Sequence, residues 1–296
     1  MTLPGELAAA AGAALGASVA DGRSVAGGDL NDAYRLELTD GRRIFVKTAA
    51  DAPAGGYATE AAGLRWLAEA DALATPEVLA VVDPPFGEAS DGPRLLALGW
   101  IDEGRLDAMG EEELGSGLAA LHRAGASRFG GSEPLRIGPL ELPNGPAESW
   151  SELYAECRLR PLARRATERG SLPDGTEALV DRVCERLDEL TGPPEPPARL
   201  HGDLWSGNVL AGATGRPYLI DPAAYGGHRE VDLAMLRLFG GPSERCFAAY
   251  SEAFPLAAGY ADRVELWQLF PLLVHAVLFG GGYGASVERI ARRYAG

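Results

Sequence analysis

The spacing of apolar residues changes along the chain, and the change predicts two kinds of structure. Between Arg23 and Leu38 the apolar positions Tyr34, Leu36 and Leu38 alternate with polar ones, the period of a half-buried strand. Two strands are predicted there, joined around Gly27-Gly28-Asp29-Leu30-Asn31. Asp40-Gly41 supplies a hairpin turn into a third strand, Arg43 to Lys47. Val78 to Val82 and Leu95 to Trp100 read as two more, separated by a loop over 83–93. An alanine-rich helix is predicted over 5–20. A second is predicted from Ala58 to Ala70 with Leu64 and Leu67 on its apolar stripe, after a Gly- and Pro-containing loop over 50–57.

Beyond residue 100 the pattern becomes helical. Leu114, Leu118, Leu121 and His122 mark a helix over Glu111 to Ala124, with His122 expected as a core or edge residue of that helix. Trp150, Leu153, Tyr154 and Leu162 mark one long helix over Glu148 to Arg169, and a third helix runs from Asp174 to Leu190. The prolines of 193–197 stop helix and feed a strand into His201. Val209 to Ala211 and Pro217 to Ile220 flank a hairpin at 212–215. Tyr225 to Glu230 leads into a helix over Val231 to Phe239, and the remaining helices are expected to break at Pro255, Pro271 and Gly280-Gly281-Gly282. The pattern predicts an α+β protein with an N-terminal lobe over 1–100, built on a small antiparallel sheet, and a mostly helical lobe over 101–296.

Composition narrows the partners. The 296 residues carry a net charge of −15, with 42 acidic against 27 basic side chains, which disfavours nucleic acid and anionic membranes. Cys157, Cys184 and Cys246 stand far apart without a C-x-x-C, which points to a reducing, cytoplasmic setting and away from a structural metal. The N-terminus lacks a basic region ahead of its alanines, so no secretory signal is expected. The longest apolar run, Leu266 to Phe279, is too short to span a bilayer. All but one of the basic residues are arginine, the exception being Lys47. A GC-rich genome explains the arginines but not the surviving lysine. A compact ammonium that must meet phosphate oxygens and a carboxylate has no substitute in a planar guanidinium.

The chemistry concentrates in His201-Gly202-Asp203-Leu204-Trp205-Ser206-Gly207-Asn208 and Leu219-Ile220-Asp221-Pro222-Ala223. An Asp, an Asn five residues on and a second Asp after a strand pattern is the arrangement by which kinases hold a nucleophilic hydroxyl and Mg²⁺ beside a nucleoside triphosphate. Asp203 is the candidate catalytic base. Asn208 and Asp221 are the candidate oxygen ligands to Mg²⁺, and Gly202 and Gly207 are expected to let the loop turn. His201 is read as structural. A glycine turn at Gly27-Gly28 with Lys47 on the third strand matches the protein-kinase arrangement, and no Walker A loop is present. Glu60, near the start of its helix, is the candidate partner of Lys47, with Glu69 its rival. The segment Leu98 to Glu103, which includes Trp100, is the expected hinge for adenine. Trp205 is either a packed structural residue or one wall of the acceptor site.

These strings, with Tyr225-Gly226-Gly227-His228-Arg229-Glu230-Val231-Asp232-Leu233-Ala234-Met235, closely resemble the fructosamine-3-kinase (ketosamine-3-kinase) family, within the wider aminoglycoside-phosphotransferase-like kinases. The resemblance runs from Gly27-Gly28 and Lys47 through Phe129-Gly130, Ile137-Gly138-Pro139 and Pro143-Asn144 to the C-terminal helices. It implies a bilobal protein-kinase-like fold and ATP-dependent phosphorylation of the sugar O3 hydroxyl of ketoamines, free or protein-bound, leading to deglycation. It also implies Asp203 as base, Asn208 and Asp221 on magnesium, Lys47 with Glu60 on the phosphates, and Asp232 in support of the catalytic loop. Some relatives carry a cysteine in the glycine-rich turn that confers redox control. Gly27-Gly28-Asp29 has none, so such control is not expected. A kinase of the same fold acting on an aminoglycoside or amino alcohol is the alternative, and a non-catalytic nucleotide-binding protein is the remaining one.

Overall fold

The computed structural model describes residues 3–25, 32–49, 54–85 and 92–296. Helix α1 (Gly5–Leu15) buries Leu7, Ala11 and Leu15, one every four residues, and stops short of the expected residue 20 because Gly16 turns into the left-handed region at φ 70°. Strand β1 (Val19–Ser24) therefore begins before Arg23. It is followed by β2 (Asp32–Leu38), β3 (Arg43–Thr48), α2 (Gly56–Ala68), β4 (Val78–Val82) and β5 (Leu95–Gly99). The five strands form one antiparallel sheet in the order β1-β2-β3-β5-β4.

Strand parity then decides where Lys47 goes. Tyr34, Leu36, Ile44, Val46, Leu95 and Ala97 pack on the α1 face, whereas Phe45, Leu96 and Leu98 pack on Tyr57, Ala61 and Leu64 of α2. Lys47 is two residues beyond Phe45, so it shares the α2 face. Its neighbours in register are Ala33 on β2 and Leu96 on β5.

The helical part begins with α3 (Ala108–Ala124), whose N-terminus is capped by Asp107 accepting from the Gly110 N–H at 2.9 Å. A hairpin of β6 (Leu135–Ile137) and β7 (Leu140–Leu142) follows. Next come α4 (Trp150–Tyr154), α5 (Arg160–Glu168), α6 (Thr176–Glu185), α7 (Leu187–Leu190), β8 (Ala198–Leu200), β9 (Val209–Ala211), β10 (Pro217–Leu219) and β11 (Tyr225–Gly227). The chain ends in α8 (Glu230–Leu238), α9 (Glu244–Ala253), α10 (Tyr260–Phe279) and α11 (Tyr283–Tyr294). Strands β9 and β10 make the expected hairpin, and β11 pairs with β8. No helix among the described residues is long and apolar enough to cross a membrane.

Three expectations need correction. The long helix over 148–169 starts at Trp150, after a Ser149 cap, and is interrupted by a π-helical turn at Ala155–Leu159. That wider turn carries Arg158, fully buried, whose guanidinium donates to the Pro143 carbonyl at 2.8 Å and to Asn144 Oδ1 at 2.7 Å. The helix over 174–190 divides at Arg186 into α6 and α7. Pro271 does not break α10. A proline leaves the carbonyl four residues earlier without its donor, here Trp267, and the Tyr154 hydroxyl, 3.1 Å from that oxygen and 3.0 Å from the Leu266 carbonyl, shares its proton between the two.

Candidate active site

The turn between β8 and β9 is fixed by buried polar contacts. Asp232, in the first turn of α8, accepts from the backbone N–H of His201 at 2.7 Å and of Gly202 at 3.0 Å. His122 of α3 meets the same carboxylate at 3.2 Å through Nε2, while its Nδ1 meets the Tyr250 hydroxyl at 2.8 Å. Burial alone would raise Asp232, but His122, His201 and the Gly202 amide overcome it and hold the carboxyl below its usual range. His122 is thus a buried core residue, and it also braces the loop. Its sequence position gives no hint of that, because its partner lies 110 residues away.

His201 is fully buried, and burial lowers it towards the neutral form. With the Asp203 N–H donating to Nδ1 at 3.3 Å, Nε2 carries the proton and donates to the Ile220 carbonyl at 2.9 Å. Both ring nitrogens are engaged in holding backbone. Gly202 adopts φ 84°, and a Cβ there would lie 1.9 Å from the Ala223 carbonyl oxygen, so the turn requires glycine. Gly207 is needed for another reason than turning: a Cβ there would sit 2.2 Å from the Trp205 ring.

The loop brings the motif side chains together. Asn208 donates through Nδ2 to the Asp203 carbonyl at 2.8 Å and to Asp203 Oδ2 at 3.2 Å, which orients the amide with Oδ1 on the opposite side. Asp221 is held at φ 52°, a left-handed conformation that costs a non-glycine residue roughly 1–2 kcal/mol. Its Oδ1 meets Lys47 Nζ at 2.9 Å, and Lys47 in turn meets both oxygens of Glu60 at 3.0 Å. Burial would lower Lys47, but the two carboxylates raise it and keep it charged. Glu60 is raised, by burial first and then by the charge of Asp221, against the pull of Lys47. Burial followed by the Asp221 charge pushes Asp203 up to about 6, although the Asn208 amide works the other way. Glu69, the rival partner, lies at the far end of α2, exposed, and pairs loosely with Arg199 at 3.7 Å.

Lys47, Glu60, Trp100, Asp203, Trp205, Asn208 and Asp221 all line one cavity of about 1930 Å³. Gly27 and Gly28 lie outside the described residues. Trp100 sits just past β5, its Nε1 donating to Asp102 at 3.0 Å and its ring facing the Arg35 guanidinium at 5.3 Å. Beyond Trp100 the chain leaves the sheet, and Gly104 next bonds to Ala211 at 2.8 Å. Trp205 is 40% exposed at the cavity wall, with its ring lying over Gly207. Sequence reasoning missed the β6–β7 hairpin, whose Leu135, Arg136 and Ile137 also line the cavity. The alternation of Leu135, Ile137, Leu140 and Leu142 around Gly138-Pro139 was the available signal.

The family model for fructosamine kinase matches residues 6–295. The probable ketoamine kinase of Synechocystis sp. is 37% identical over 277 residues, covering 92% of this chain and 89% of its own length. The crystal structure of a candidate fructosamine-3-kinase from Thermobifida fusca superposes with a TM-score of 0.88 at 44% identity, over 97% of both chains. An aminoglycoside phosphotransferase, solved with ADP and hygromycin B, superposes with a TM-score of 0.63 at 22% identity over 98% of this chain and 99% of its own, a likeness of fold. The sheet bearing Lys47, the helix bearing Glu60 and the helical part below them form a kinase-like fold, and the chain belongs to the fructosamine kinase family of ATP-dependent phosphotransferases.

Proposed function

We propose that this chain transfers the γ-phosphoryl group of ATP to the O3 hydroxyl of the sugar in ketoamines, the adducts formed when a reducing sugar condenses with an amine. The observation that carries the reading is the pair of contact sets Glu60–Lys47–Asp221 and Asn208–Asp203 lining the same cavity, with Trp205 exposed beside Asp203. Cationic and anionic groups for a triphosphate and a base for a hydroxyl meet at one wall of a single cavity. Its volume exceeds the roughly 300–1,000 Å³ of a pocket for one small ligand, as a site for nucleotide and acceptor together requires.

In this reading the nucleotide belongs to residues 1–100 and the acceptor to 101–296. Adenine lies against the backbone of Trp100 and Ile101, where the chain leaves β5. Lys47, held in place by Glu60, meets the phosphates. The donor set fits Mg²⁺: among the described residues no three His, Cys, Asp or Glu side chains form a metal cage, while Asn208 Oδ1 and the Asp221 carboxylate offer two hard oxygens, and Mg²⁺ takes its other ligands from waters and phosphates. When bound there it would neutralise charge on the phosphate oxygens.

Asp203 orients the O3 hydroxyl and accepts its proton as the O3–P bond forms and the bond from Pγ to the β-phosphate oxygen breaks, releasing ADP. A carboxylate raised to about 6 is still ionised at neutral pH and is a stronger base than an ordinary one. Trp205 supplies an aromatic wall for the C–H face of the sugar. With phosphate on C3, the 1,2-enaminol tautomer of the product expels inorganic phosphate to leave a C1 iminium, and water hydrolyses that iminium to the free amine and a 3-deoxy dicarbonyl sugar, which amounts to deglycation in the cytoplasm. The test is to mix the protein with Mg-ATP and, separately, ribulosamines, fructosamines, aminoglycosides and choline, and to follow phosphate transfer. Transfer to ketoamines alone is expected; transfer to aminoglycoside or choline alone would overturn the reading.

A further inference from the structure

The cavity does not end at Asp203 and Trp205. It continues between the β6–β7 hairpin and the helices α8, α10 and α11, where its wall changes character. Ile137, Met235, Phe270, Val274 and Leu278 are apolar, and the aromatic rings of Phe239, His275 and Tyr283 gather at the end. Phe239 and His275 have ring centroids 4.6 Å apart, and His275 and Tyr283 are 5.0 Å apart. Phe279, 56% exposed, flanks His275 at 5.5 Å. The charged side chain on this stretch of the hairpin, Arg136, is already paired with Glu141 at 2.9 Å across the two strands. His275 donates from Nδ1 to the Pro271 carbonyl at 2.7 Å, and its burial favours the neutral ring. The end of the arm is therefore built of aromatic faces and one neutral imidazole.

An acceptor whose sugar hydroxyl sits at Asp203 must direct the rest of itself somewhere, and the nucleotide side is taken by Lys47, Glu60 and Asp221. We propose that the apolar arm receives the substituent carried on the amine nitrogen of the ketoamine, and that Phe239, His275 and Tyr283 set a preference for extended apolar or aromatic amines over small ones. The inference rests on the function proposed above and specifies its substrate class. Apolar pockets discriminate by the surface they cover, about 10–200-fold for a single methylene that fits.

The experiment compares kcat/KM for ribulosamine adducts of methylamine, hexylamine and benzylamine with saturating Mg-ATP, on the wild type and on Phe239→Ser. The wild type is expected to favour the hexylamine and benzylamine adducts over the methylamine adduct by at least about tenfold, and the ratio is expected to collapse towards one in Phe239→Ser. Equal kcat/KM for all three adducts in the wild type would overturn the inference while leaving ketoamine phosphorylation intact. A preference retained unchanged by both Phe239→Ser and Tyr283→Ser would overturn the assignment to this arm. Failure to phosphorylate any ketoamine would instead overturn the proposed function itself.

Discussion

Lys47 Nζ lies 2.9 Å from Oδ1 of Asp221, although 174 positions of sequence separate the two residues. The contact joins the middle strand of the N-terminal sheet to the loop after β10, and Glu60 completes it from α2. Two acidic groups, one from each part of the molecule, thus share the chain's single lysine. Lys47→Ala should lower kcat/KM for ATP by about 10²–10³-fold, the usual effect of removing one preorganised donor in a dry site. Lys47→Arg should not restore it, because a planar fork cannot occupy the point between Glu60 and Asp221. Steady-state kinetics in varied ATP decides the matter; wild-type values for the arginine variant would mean that only charge is required.

Asp203 gives a prediction in pH. Its folded value of about 6 lies above the 3.8 of an ordinary aspartate, so the folded protein binds the proton more tightly than the unfolded chain does. In nucleotide- and metal-free buffer this group should therefore cost stability progressively as pH rises from about 4 to about 6, and the full cost persists above that. Asp203→Asn removes the cost, so the variant should melt higher than the wild type at pH 7, with the gap closing below pH 4. The same variant should lose about 10²–10⁴-fold in kcat. A lower Tm at pH 7 would show that Asp203 is stabilised rather than strained where it sits.

Trp205 is 40% exposed, and its ring covers Gly207 without entering the core. Trp205→Ala should raise KM for the ketoamine and lower kcat, by about 10²-fold in kcat/KM if orientation of the hydroxyl is what the ring contributes. ATP affinity and Tm should stay near the wild-type values. A large fall in Tm with unchanged kinetic constants would count against it as a wall of the acceptor site.

Asp232 never reaches the cavity, yet it accepts from two successive amides of the loop and from His122. Asp232→Ala leaves those donors buried and unmatched and should destabilise the fold by about 3–5 kcal/mol, as breaking a buried charged contact does. Denaturant unfolding measures it. A change below 1 kcal/mol on the same scale would mean that the loop is held by His201 alone.

How much of this could be read from residues follows from the range of each signal. The strands carrying Lys47 and the loop from His201 to Asn208 are local patterns, a period of two and a fixed spacing, and both stand where the pattern put them. The choice between Glu60 and Glu69 was open in sequence because both lie on one helix; parity of β3 and the direction of α2 decide it. Pro271 misled because its consequence depends on Tyr154, more than 100 positions away, which supplies the missing donor. The π-helical turn and the bracing of Asp232 by His122 are likewise long-range facts with no periodic trace. The β6–β7 hairpin had a trace, but three-residue strands are too short to stand out.

The most direct test of the central claim is the product itself. Protein, Mg-ATP and a ribulosamine would be incubated together, and the phosphorylated product followed by ³¹P NMR with carbon correlation to locate the ester. The account predicts one new phosphate ester at the sugar O3, formed in step with ADP and absent with Asp203→Asn. An ester at another hydroxyl, or ADP formed with no phosphorylated ketoamine while an aminoglycoside or choline becomes phosphorylated, would contradict it.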